Sequence, residues 1–270
     1  MQSIILFDLD GTLVESSKKI DMPMHMIIIE LYIKKYDLGI VGGGKFEKII
    51  SQLDNTKKYF KYIFSECGSV LHMYNIKTNK YTLIYEKNIL FKLSNDNIHK
   101  LKTIFNTFIQ ENNDIYNLNK YQYEHNYPNY NPSELGFHSD FTDIRNGLIY
   151  FSPIGLNSND YYRSKFIAYE KQHNVRLALI NKFKEELKLD DYSIVIGGNV
   201  GVALYPKEWN KSQVVNELTD YNNIYFFGDK TTETGNDYPL YIHEKVKGYA
   251  VNSPTDTLNI IKNEIINKKL

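Results

Sequence analysis

The sequence predicts an α/β fold in which a smaller α+β domain interrupts a domain built on a parallel sheet. Three observations lead to this prediction. The first third of the 270-residue chain alternates strand and helix patterns, which is typical of a parallel sheet with crossover helices. The middle third carries strand patterns joined by a tight turn, which favours antiparallel pairing. The last third returns to the alternation of the first.

The first third contains three predicted strands and two predicted helices. The strands run from Ser3 to Asp8, from Leu38 to Gly42 and from Tyr62 to Ser65. Asp21 is placed to cap the first helix, which has Pro in its first turn and apolar residues behind it. The second helix is expected over Phe46 to Leu53. Strand, helix and strand in short order predict parallel pairing.

The middle third reads differently. Lys80 to Phe91 shows hairpin-like alternation, a helix is expected near Asn95 to Gln110, and residues 117–136 form a polar loop. The two strands expected on either side of Asn146-Gly147 run from Phe141 to Arg145 and from Leu148 to Ser152. A long amphipathic helix from about Asp160 to Leu187 and the strands in YSIVIGG and GVALYP follow. An antiparallel sheet with helices is expected.

The last third completes the parallel sheet. Strands are expected in NIYFFGDK and GYAVNS, followed by an amphipathic helix from Asp256 to Lys268. The chain is expected to cross between domains near residues 81 to 88 and 204 to 210. Residues 1–84 and 206–270 would then form the core domain, and residues 85–205 the inserted one.

Composition narrows the classes of partner. Lys plus Arg and Asp plus Glu both number 32, so bulk charge favours neither a nucleic acid nor a membrane surface. No stretch approaches the ~18 apolar residues of a membrane span. Cys67 is the single cysteine, which excludes an internal disulfide and fits a reducing compartment. We therefore expect a cytoplasmic protein without nucleic-acid or membrane partners, and Cys67 as a small core residue.

Asp8 and Asp10 are the first candidates for chemistry. They directly follow a buried-type strand within F-D-L-D-G-T, and ligands of open parallel sheets bind at the carboxyl ends of strands. On extended chain, residues two apart share a face. In the functional interpretation, Asp8 attacks an electrophile and Asp10 transfers a proton. The alternative is an ordinary Asp-Gly turn, which the full motif disfavours.

A second group of acids follows a later strand. NIYFFGDK ends in Gly228-Asp229, and Asn236-Asp237 come after a short polar loop. Mg²⁺ takes a few carboxylates and keeps water positions for a substrate phosphate. Two strand ends that carry acids therefore predict a Mg²⁺ site, although Gly-Asp alone is usually a turn.

These motifs together resemble the haloacid dehalogenase superfamily of phosphotransferases. F-D-L-D-G-T, the small-residue loop VGGGKFEK, the downstream Lys211 and G-D-K-T-x4-G-N-D occur in its order. RNGLIYFSPIG, EWNK and IYFFGDKTTETGND further resemble the eukaryotic-type phosphomannomutases along nearly the whole chain. The resemblance implies a Rossmann-like core domain, an inserted cap domain and an isomerase acting in the GDP-mannose pathway.

The resemblance also implies the roles of the acids. Asp8 becomes an aspartyl phosphate, Asp10 exchanges a proton with the sugar oxygen, and Lys211 holds the phosphoryl group beside Asp8. Without the resemblance, Lys211 would be read as a surface lysine at a helix start. The implied ligands of Mg²⁺ are Asp8, the backbone carbonyl of Asp10, and Asp229, with Asp237 as a supporting acid.

The implied substrates are a hexose phosphate, mannose phosphate among them, and a hexose bisphosphate. The backbone of Gly43 and Gly44 would meet the transferring phosphate. Arg145, Arg163 and Asn199 of the cap would bind the distal end of the substrate, since planar guanidinium groups suit phosphate. The family also implies a homodimer formed through the cap domain.

Several positions depart from the family pattern. Gly44 stands where the family has a hydroxyl residue, and Ser17 and Leu156 stand where it has arginines. Gly201 and Ala203 replace a serine and an aspartate that contact the sugar. A charged hydrogen bond contributes roughly 1.5–3 kcal/mol, so sugar recognition is expected to be weakened or redirected. Three readings remain: a phosphomannomutase-like mutase, a sugar phosphatase, and a sugar-phosphate-binding paralogue with little turnover.

Overall fold

A computed structural model describes residues 2–112, 114–115 and 141–267 of the chain. The chain forms two compact units, one made of Met1–Lys87 and Glu208–Leu270 and the other of Asn88–Lys207. We refer to them as the core unit and the cap unit. The polar loop expected at 117–136 lies outside the described residues.

The core unit contains a seven-stranded sheet in the order β11-β10-β1-β2-β3-β4-β5. Pairing is parallel from β11 to β3 and antiparallel from β3 to β5. The strands of this sheet are β1 (Ser3–Phe7), β2 (Asp37–Val41), β3 (Tyr62–Ser65), β4 (Val70–Asn75), β5 (Lys80–Glu86), β10 (Asn223–Gly228) and β11 (Val246–Ala250).

Helices cover both faces of this sheet, as the predicted α/β fold requires. They are α1 (Met22–Ile33), α2 (Phe46–Leu53), the single turn α6 (Tyr238–Tyr241) and α7 (Pro254–Ile260), which continues as a π-helical segment over Ile261–Ile266. The cap at Asp21 is confirmed, because its side chain accepts a hydrogen bond from the Met24 amide at 2.9 Å. The rings of Phe7, Phe227 and Tyr249 stack one on the next within a hydrophobic cluster of the core unit.

The stretch from Lys80 to Phe91 is not a separate hairpin. Its strand ends at Glu86 and pairs with β4, a strand that the sequence pattern did not reveal. Ile89–Phe91 form a 3₁₀ turn. The pattern of β4 is hard to read because its first two residues are buried while the remainder alternates in exposure, so neither a buried run nor a clean alternation is present.

The cap unit contains the predicted antiparallel sheet, with four strands in the order β6-β7-β9-β8. Phe151 on one face of this sheet contacts the rings of Phe105 in α3 and Phe183 in α5. The elements of this unit are α3 (Asn95–Glu111), β6 (Thr142–Ile144), β7 (Ile149–Phe151), α4 (Asp160–His173), α5 (Val175–Glu186), β8 (Tyr192–Gly197) and β9 (Gly201–Pro206).

The single helix expected from Asp160 to Leu187 is wrong. Asn174 has a left-handed conformation, with φ 50° and ψ 41°, and it separates α4 from α5. Asn tolerates this conformation better than most residues. Apolar residues recur on both sides of Asn174, so the sequence pattern did not reveal the break.

No helix among the described residues combines the length and the apolar character needed to cross a bilayer.

Substitution of Asn174 tests the origin of the helix break. The Asn174 side chain makes no capping hydrogen bond to α5, so its backbone conformation should dominate. We expect Asn174→Val to lower the free energy of unfolding by about 1–2 kcal/mol, and Asn174→Gly to leave it nearly unchanged. Urea unfolding followed by circular dichroism measures both. Equal stability of the Val variant and the wild type would contradict this explanation.

Candidate active site

The candidate site lies at the carboxyl ends of β1 and β10. These strands pair in parallel with Phe7 opposite Phe227, and the Asp8 amide donates to the Phe227 carbonyl at 2.8 Å. Asp8 therefore leaves β1 at the level where Gly228 and Asp229 leave β10. The register of one strand pair brings together acids that are more than two hundred residues apart in sequence.

Lys211 connects this strand end to the polar loop after β10. Its side chain is 0% exposed, and its Nζ lies 2.5 Å from Asp8 Oδ1 and 2.5 Å from Asp237 Oδ1. It opens a 3₁₀ segment, Lys211–Glu217, whose first turn is capped by the Asn210 side chain. Lys211 is therefore a buried partner of two carboxylates and not a surface lysine.

Asp237 anchors the loop that carries Asp229. Its second oxygen, Oδ2, accepts a hydrogen bond from the Lys230 amide at 2.9 Å. A Cβ at Gly228 would lie 2.8 Å from that oxygen, so a side chain there would displace the carboxylate. The Gly-Asp pair that ends β10 thus has a packing reason as well as a turn propensity.

The pKa values of both Asp8 and Lys211 are raised at this site. Burial raises the pKa of Asp8, Lys211 opposes the rise, and the carboxylates of Asp237 and Asp229 add to it, with a net upward shift. For Lys211, burial favours the neutral amine, but Asp237 and Asp8 outweigh it and raise the pKa. Lys211 therefore stays charged, and additional positive charge would favour ionised Asp8.

The carboxylates fit a divalent cation. Asp8, Asp229 and Asp237 each offer an oxygen within 4.8 Å of the others. Asp229 Oδ1 is buried without a hydrogen-bond partner among the described residues, while Oδ2 lies 2.8 Å from Lys230 Nζ. Three carboxylates against the ammonium groups of Lys211 and Lys230 leave one net negative charge. Oxygen ligands with unbalanced negative charge suit Mg²⁺.

Gly11 keeps the space beside Asp229 open. Its φ is 89°, and a Cβ added there would lie 2.6 Å from Asp229 Oδ2. Gly11 thus meets two requirements at once, because the D-G-T turn needs a left-handed residue and the approach to the carboxylate excludes a side chain.

Asp10 is held away from this cluster by groups that the sequence did not single out. One oxygen of Asp10 lies 2.7 Å from Lys48 Nζ, and the other accepts from Gln52 Nε2 and the Ser17 amide, both at 2.8 Å. Burial raises the pKa of Asp10, but these contacts outweigh it and lower the pKa overall. Lys48 and Gln52 are four residues apart on α2, a spacing that places both on one helix face.

The loop after β2 carries Gly43 and Gly44. The Glu66 amide donates to the Gly44 carbonyl at 3.0 Å, and the Cys67 amide donates to the Gly42 carbonyl at 2.9 Å. Glu66 and Cys67 have positive φ values of 50° and 59°. Cys67 is buried, as expected. The strained segment after β3 therefore holds the glycine loop through two backbone hydrogen bonds.

The remaining predicted residues belong to the cap unit. Arg145 pairs with Asp143 at 2.7 Å, and Arg163 donates to the carbonyls of Ser158 and Leu156 at 2.7 and 2.8 Å. Asn199 lies in the turn between β8 and β9.

The chain has the fold of haloacid dehalogenase-like proteins. A solved haloacid dehalogenase-like hydrolase from B. subtilis matches with a TM-score of 0.54 at 12% identity, covering 97% of this chain and 99% of that one. A truncated, IMP-bound IMP-nucleotidase of Plasmodium falciparum matches with a TM-score of 0.57 at 14% identity, covering 97% and 67%. At these identities the likeness concerns the fold alone.

Sequence relatives identify the family within that class. The eukaryotic phosphomannomutase family profile matches residues 132–268. A phosphomannomutase of Arabidopsis thaliana is 34% identical over 94% of this chain and 93% of its own length. That of Babesia bovis is 30% identical over 96% of both chains. The chain belongs to the eukaryotic phosphomannomutase family.

Removal of Lys211 tests the charge balance of the site. Lys211→Met leaves Asp8 and Asp237 buried without their ammonium partner, and we expect the free energy of unfolding to fall by about 3–5 kcal/mol. Saturating Mg²⁺ should recover part of the loss, because it restores positive charge between the carboxylates. Denaturant unfolding with and without Mg²⁺ measures both effects.

Lys61→Met is the matched control. Lys61 pairs with Asp37 at 2.8 Å and is 37% exposed, so its loss should be small and insensitive to Mg²⁺. A Lys211 variant as stable as the control would contradict the proposed charge balance.

Proposed function

We propose that the protein transfers phosphoryl groups on hexose phosphates through an aspartyl phosphate at Asp8. The proposed reaction is phosphomannomutase-like, converting mannose 6-phosphate to mannose 1-phosphate for GDP-mannose synthesis in the cytoplasm. The observation that carries the proposal is the contact of Asp8 with buried Lys211 beside Asp229 and Asp237. A protein that only binds a ligand has no need of a buried lysine held between two acids at a strand end.

Asp8 has the environment of a nucleophile. One of its oxygens is bound by Lys211, which fixes the carboxylate and balances the charge of an approaching phosphate. In the forward step an Asp8 oxygen bonds to phosphorus while the bond from phosphorus to the sugar oxygen breaks. When bound, Mg²⁺ would supply further positive charge at Asp8, Asp229 and the phosphate oxygens. Lys211 would hold Asp8 and the phosphoryl group together throughout.

Asp10 is suited to begin as a base. Its contacts with Lys48, Gln52 and the Ser17 amide favour the carboxylate. In a mutase cycle that starts from phosphorylated Asp8, Asp10 takes the proton of the sugar hydroxyl as that oxygen bonds to phosphorus and the Asp8–phosphorus bond breaks. After the bisphosphate reorients, Asp10 returns the proton to the oxygen that leaves.

We propose that the cap unit binds the part of the substrate that does not react. Arg145, Arg163 and Asn199 would bind the distal phosphate end, and the backbone of Gly43 and Gly44 would meet the transferring phosphate. We also propose, from the family resemblance, that the protein forms a homodimer through the cap.

A sugar phosphatase is the second candidate. Gly44 offers no hydroxyl to the transferring phosphate, and Leu156 contributes only its backbone carbonyl, which Arg163 uses. With fewer groups to retain the bisphosphate, water would compete for the aspartyl phosphate. The same Asp8 chemistry then releases phosphate. The third candidate, a sugar-phosphate-binding paralogue, rests on the same missing contacts.

One assay separates these candidates. The protein receives Mg²⁺, mannose 1-phosphate and a hexose bisphosphate activator, and mannose 6-phosphate and free phosphate are measured separately. We expect isomerised sugar phosphate from the wild type and from Asp220→Asn, an exposed control, and at least a 10³-fold lower rate from Asp8→Asn. Free phosphate alone would establish the phosphatase. No turnover across a panel of hexose phosphates would refute the enzyme proposal.

Titration with Mg²⁺ tests the metal site without turnover. We expect Mg²⁺ to raise the melting temperature of the wild type, because a ligand that binds the folded state stabilises it. Asp229→Asn should weaken Mg²⁺ binding about tenfold or more, since one charged ligand is lost. Gly11→Ala should act in the same direction by displacing that carboxylate. Asp220→Asn is the control, and equal Mg²⁺ responses in all four proteins would exclude this site.

A further inference from the structure

The arginines of this chain are few and share one unit. Of the 32 Lys and Arg residues, three are arginines, namely Arg145, Arg163 and Arg176. All three belong to the cap unit. Lysine supplies charge elsewhere in the chain, whereas a planar guanidinium group can also stack on a ring and bind phosphate through two parallel hydrogen bonds. The location of the three arginines therefore indicates where this geometry is needed.

Tyr150 lies close to two of the three arginines. Side chains alternate along β7, so Tyr150 lies on the face of the cap sheet opposite Phe151 and the helices that cover it. Its ring occupies the space left by three glycines. Added Cβ atoms would lie 3.0 Å from the ring at Gly197, 3.3 Å from the hydroxyl at Gly198, and 2.3 Å from the ring at Gly201. The ring thus packs against the backbone of these three glycines.

Two arginines contact the Tyr150 ring or the backbone that accepts its hydroxyl hydrogen bond. The guanidinium carbon of Arg145 lies 5.3 Å from the ring centroid, within cation–π range. The Tyr150 hydroxyl donates to the Gly197 carbonyl at 2.9 Å, and Arg176 Nη1 donates to the adjacent Gly198 carbonyl at 3.1 Å. One arginine therefore stacks on the ring, and the other holds the backbone that receives its hydroxyl.

The three arginines differ in their partners. Arg145 pairs with Asp143, and Arg176 pairs with Glu170 at 3.0 Å. Arg163 is half-buried and is tied to the loop that follows β7, because it donates to the carbonyls of Leu156 and Ser158. Among the described residues, no carboxylate pairs with it. Burial raises the pKa of Tyr150, and the charges of Arg145, Arg176 and Arg163 oppose the rise.

We propose that Tyr150 and Arg176 are positioning residues of a phosphate-binding cluster in which Arg145 and Arg163 contact the anion. Tyr150 orients Arg145 through its ring and is itself held by the Gly197–Gly198 backbone, which Arg176 braces. Arg163, which has no carboxylate partner among the described residues, keeps its charge for a phosphate group. Phosphate as the ligand of Arg145 and Arg163 rests on the proposed function, whereas the positioning roles of Tyr150 and Arg176 rest on the contacts described above.

Arginine side-chain NMR isolates this cluster in the full-length protein. A ¹⁵N-labelled sample has three Arg Nε–H groups, all in the cap unit, so the core unit contributes no arginine signal. We expect inorganic phosphate to shift the signals of Arg145 and Arg163 in the wild type. Tyr150→Ala should weaken this binding about three- to tenfold, since it removes one cation–π contact and one hydrogen bond.

Two further variants distinguish positioning from folding. Tyr150→Phe keeps the ring under Arg145 and loses the hydroxyl bond, so its effect should be smaller than that of Tyr150→Ala. Arg176→Lys keeps the charge but not the paired contacts to Glu170 and Gly198, and should weaken phosphate binding. The control is Tyr192→Phe, which also loses a hydroxyl bond to a backbone carbonyl in the cap unit, at 2.8 Å to Lys92. It should bind phosphate like the wild type.

Turnover supplies an independent readout. With the proposed function in place, Tyr150→Ala and Arg176→Lys should raise KM for hexose phosphate and leave kcat nearly unchanged, as expected for groups that act on substrate binding and not on the reacting bond. Wild-type phosphate affinity in folded Tyr150→Phe, Tyr150→Ala and Arg176→Lys would overturn the inference. Absence of turnover in the wild type would overturn the proposed function and leave the NMR result to decide the cluster.

Discussion

Burial of the Lys211 ammonium group between Asp8 and Asp237 is the interaction on which the candidate site depends. An unpaired charge in this position would cost several kcal/mol, so the chain must deliver both carboxylates to the same point. Asp8 arrives on the end of β1, Asp237 on the loop after β10, and Lys211 on the 3₁₀ segment that precedes β10. Three separate chain segments are fixed by one ion cluster.

The parallel register of β1 and β10 makes this delivery possible. Phe7 faces Phe227 in the pairing, and their rings stack with centroids 5.3 Å apart. A shift of one residue would turn Asp8 to the other face of the sheet and separate it from Lys211. The hydrophobic stack and the ion cluster therefore require the same alignment. Packing energy from the apolar residues offsets the desolvation of the charges beside them.

The two units divide the chemistry by residue type. The core unit holds its charges through lysine, aspartate and backbone groups and contains none of the three arginines. The cap unit carries all three, and two of them contact the Tyr150 ring or the glycine backbone beside it. This division suits the proposed phosphoryl transfer, because a compact ammonium group fits between carboxylates in a buried site, whereas the planar guanidinium group suits phosphate. The Tyr150 ring fills the space that a side chain at Gly201 would occupy.

Local sequence patterns were enough to predict the α/β class, the strand that ends at Phe7 and the acids that follow it. A buried run, a cap at Asp21 and a D-G-T turn can each be recognised within a few residues. The break at Asn174 could not be predicted, because apolar residues recur on both sides of it. The strand β4 was missed because its first two residues are buried and the others alternate in exposure.

Three contacts became visible only in the folded chain: the burial of Lys211, the hydrogen bonds from Lys48 and Gln52 to Asp10, and the packing of Tyr150 against glycine backbone. Each of these contacts joins residues far apart in the chain, through strand register and helix placement. A single sequence carries no local signal of such pairings. Lys211 reads as an ordinary helix-start lysine until β1 and β10 are paired, and its burial then follows from where those strands end.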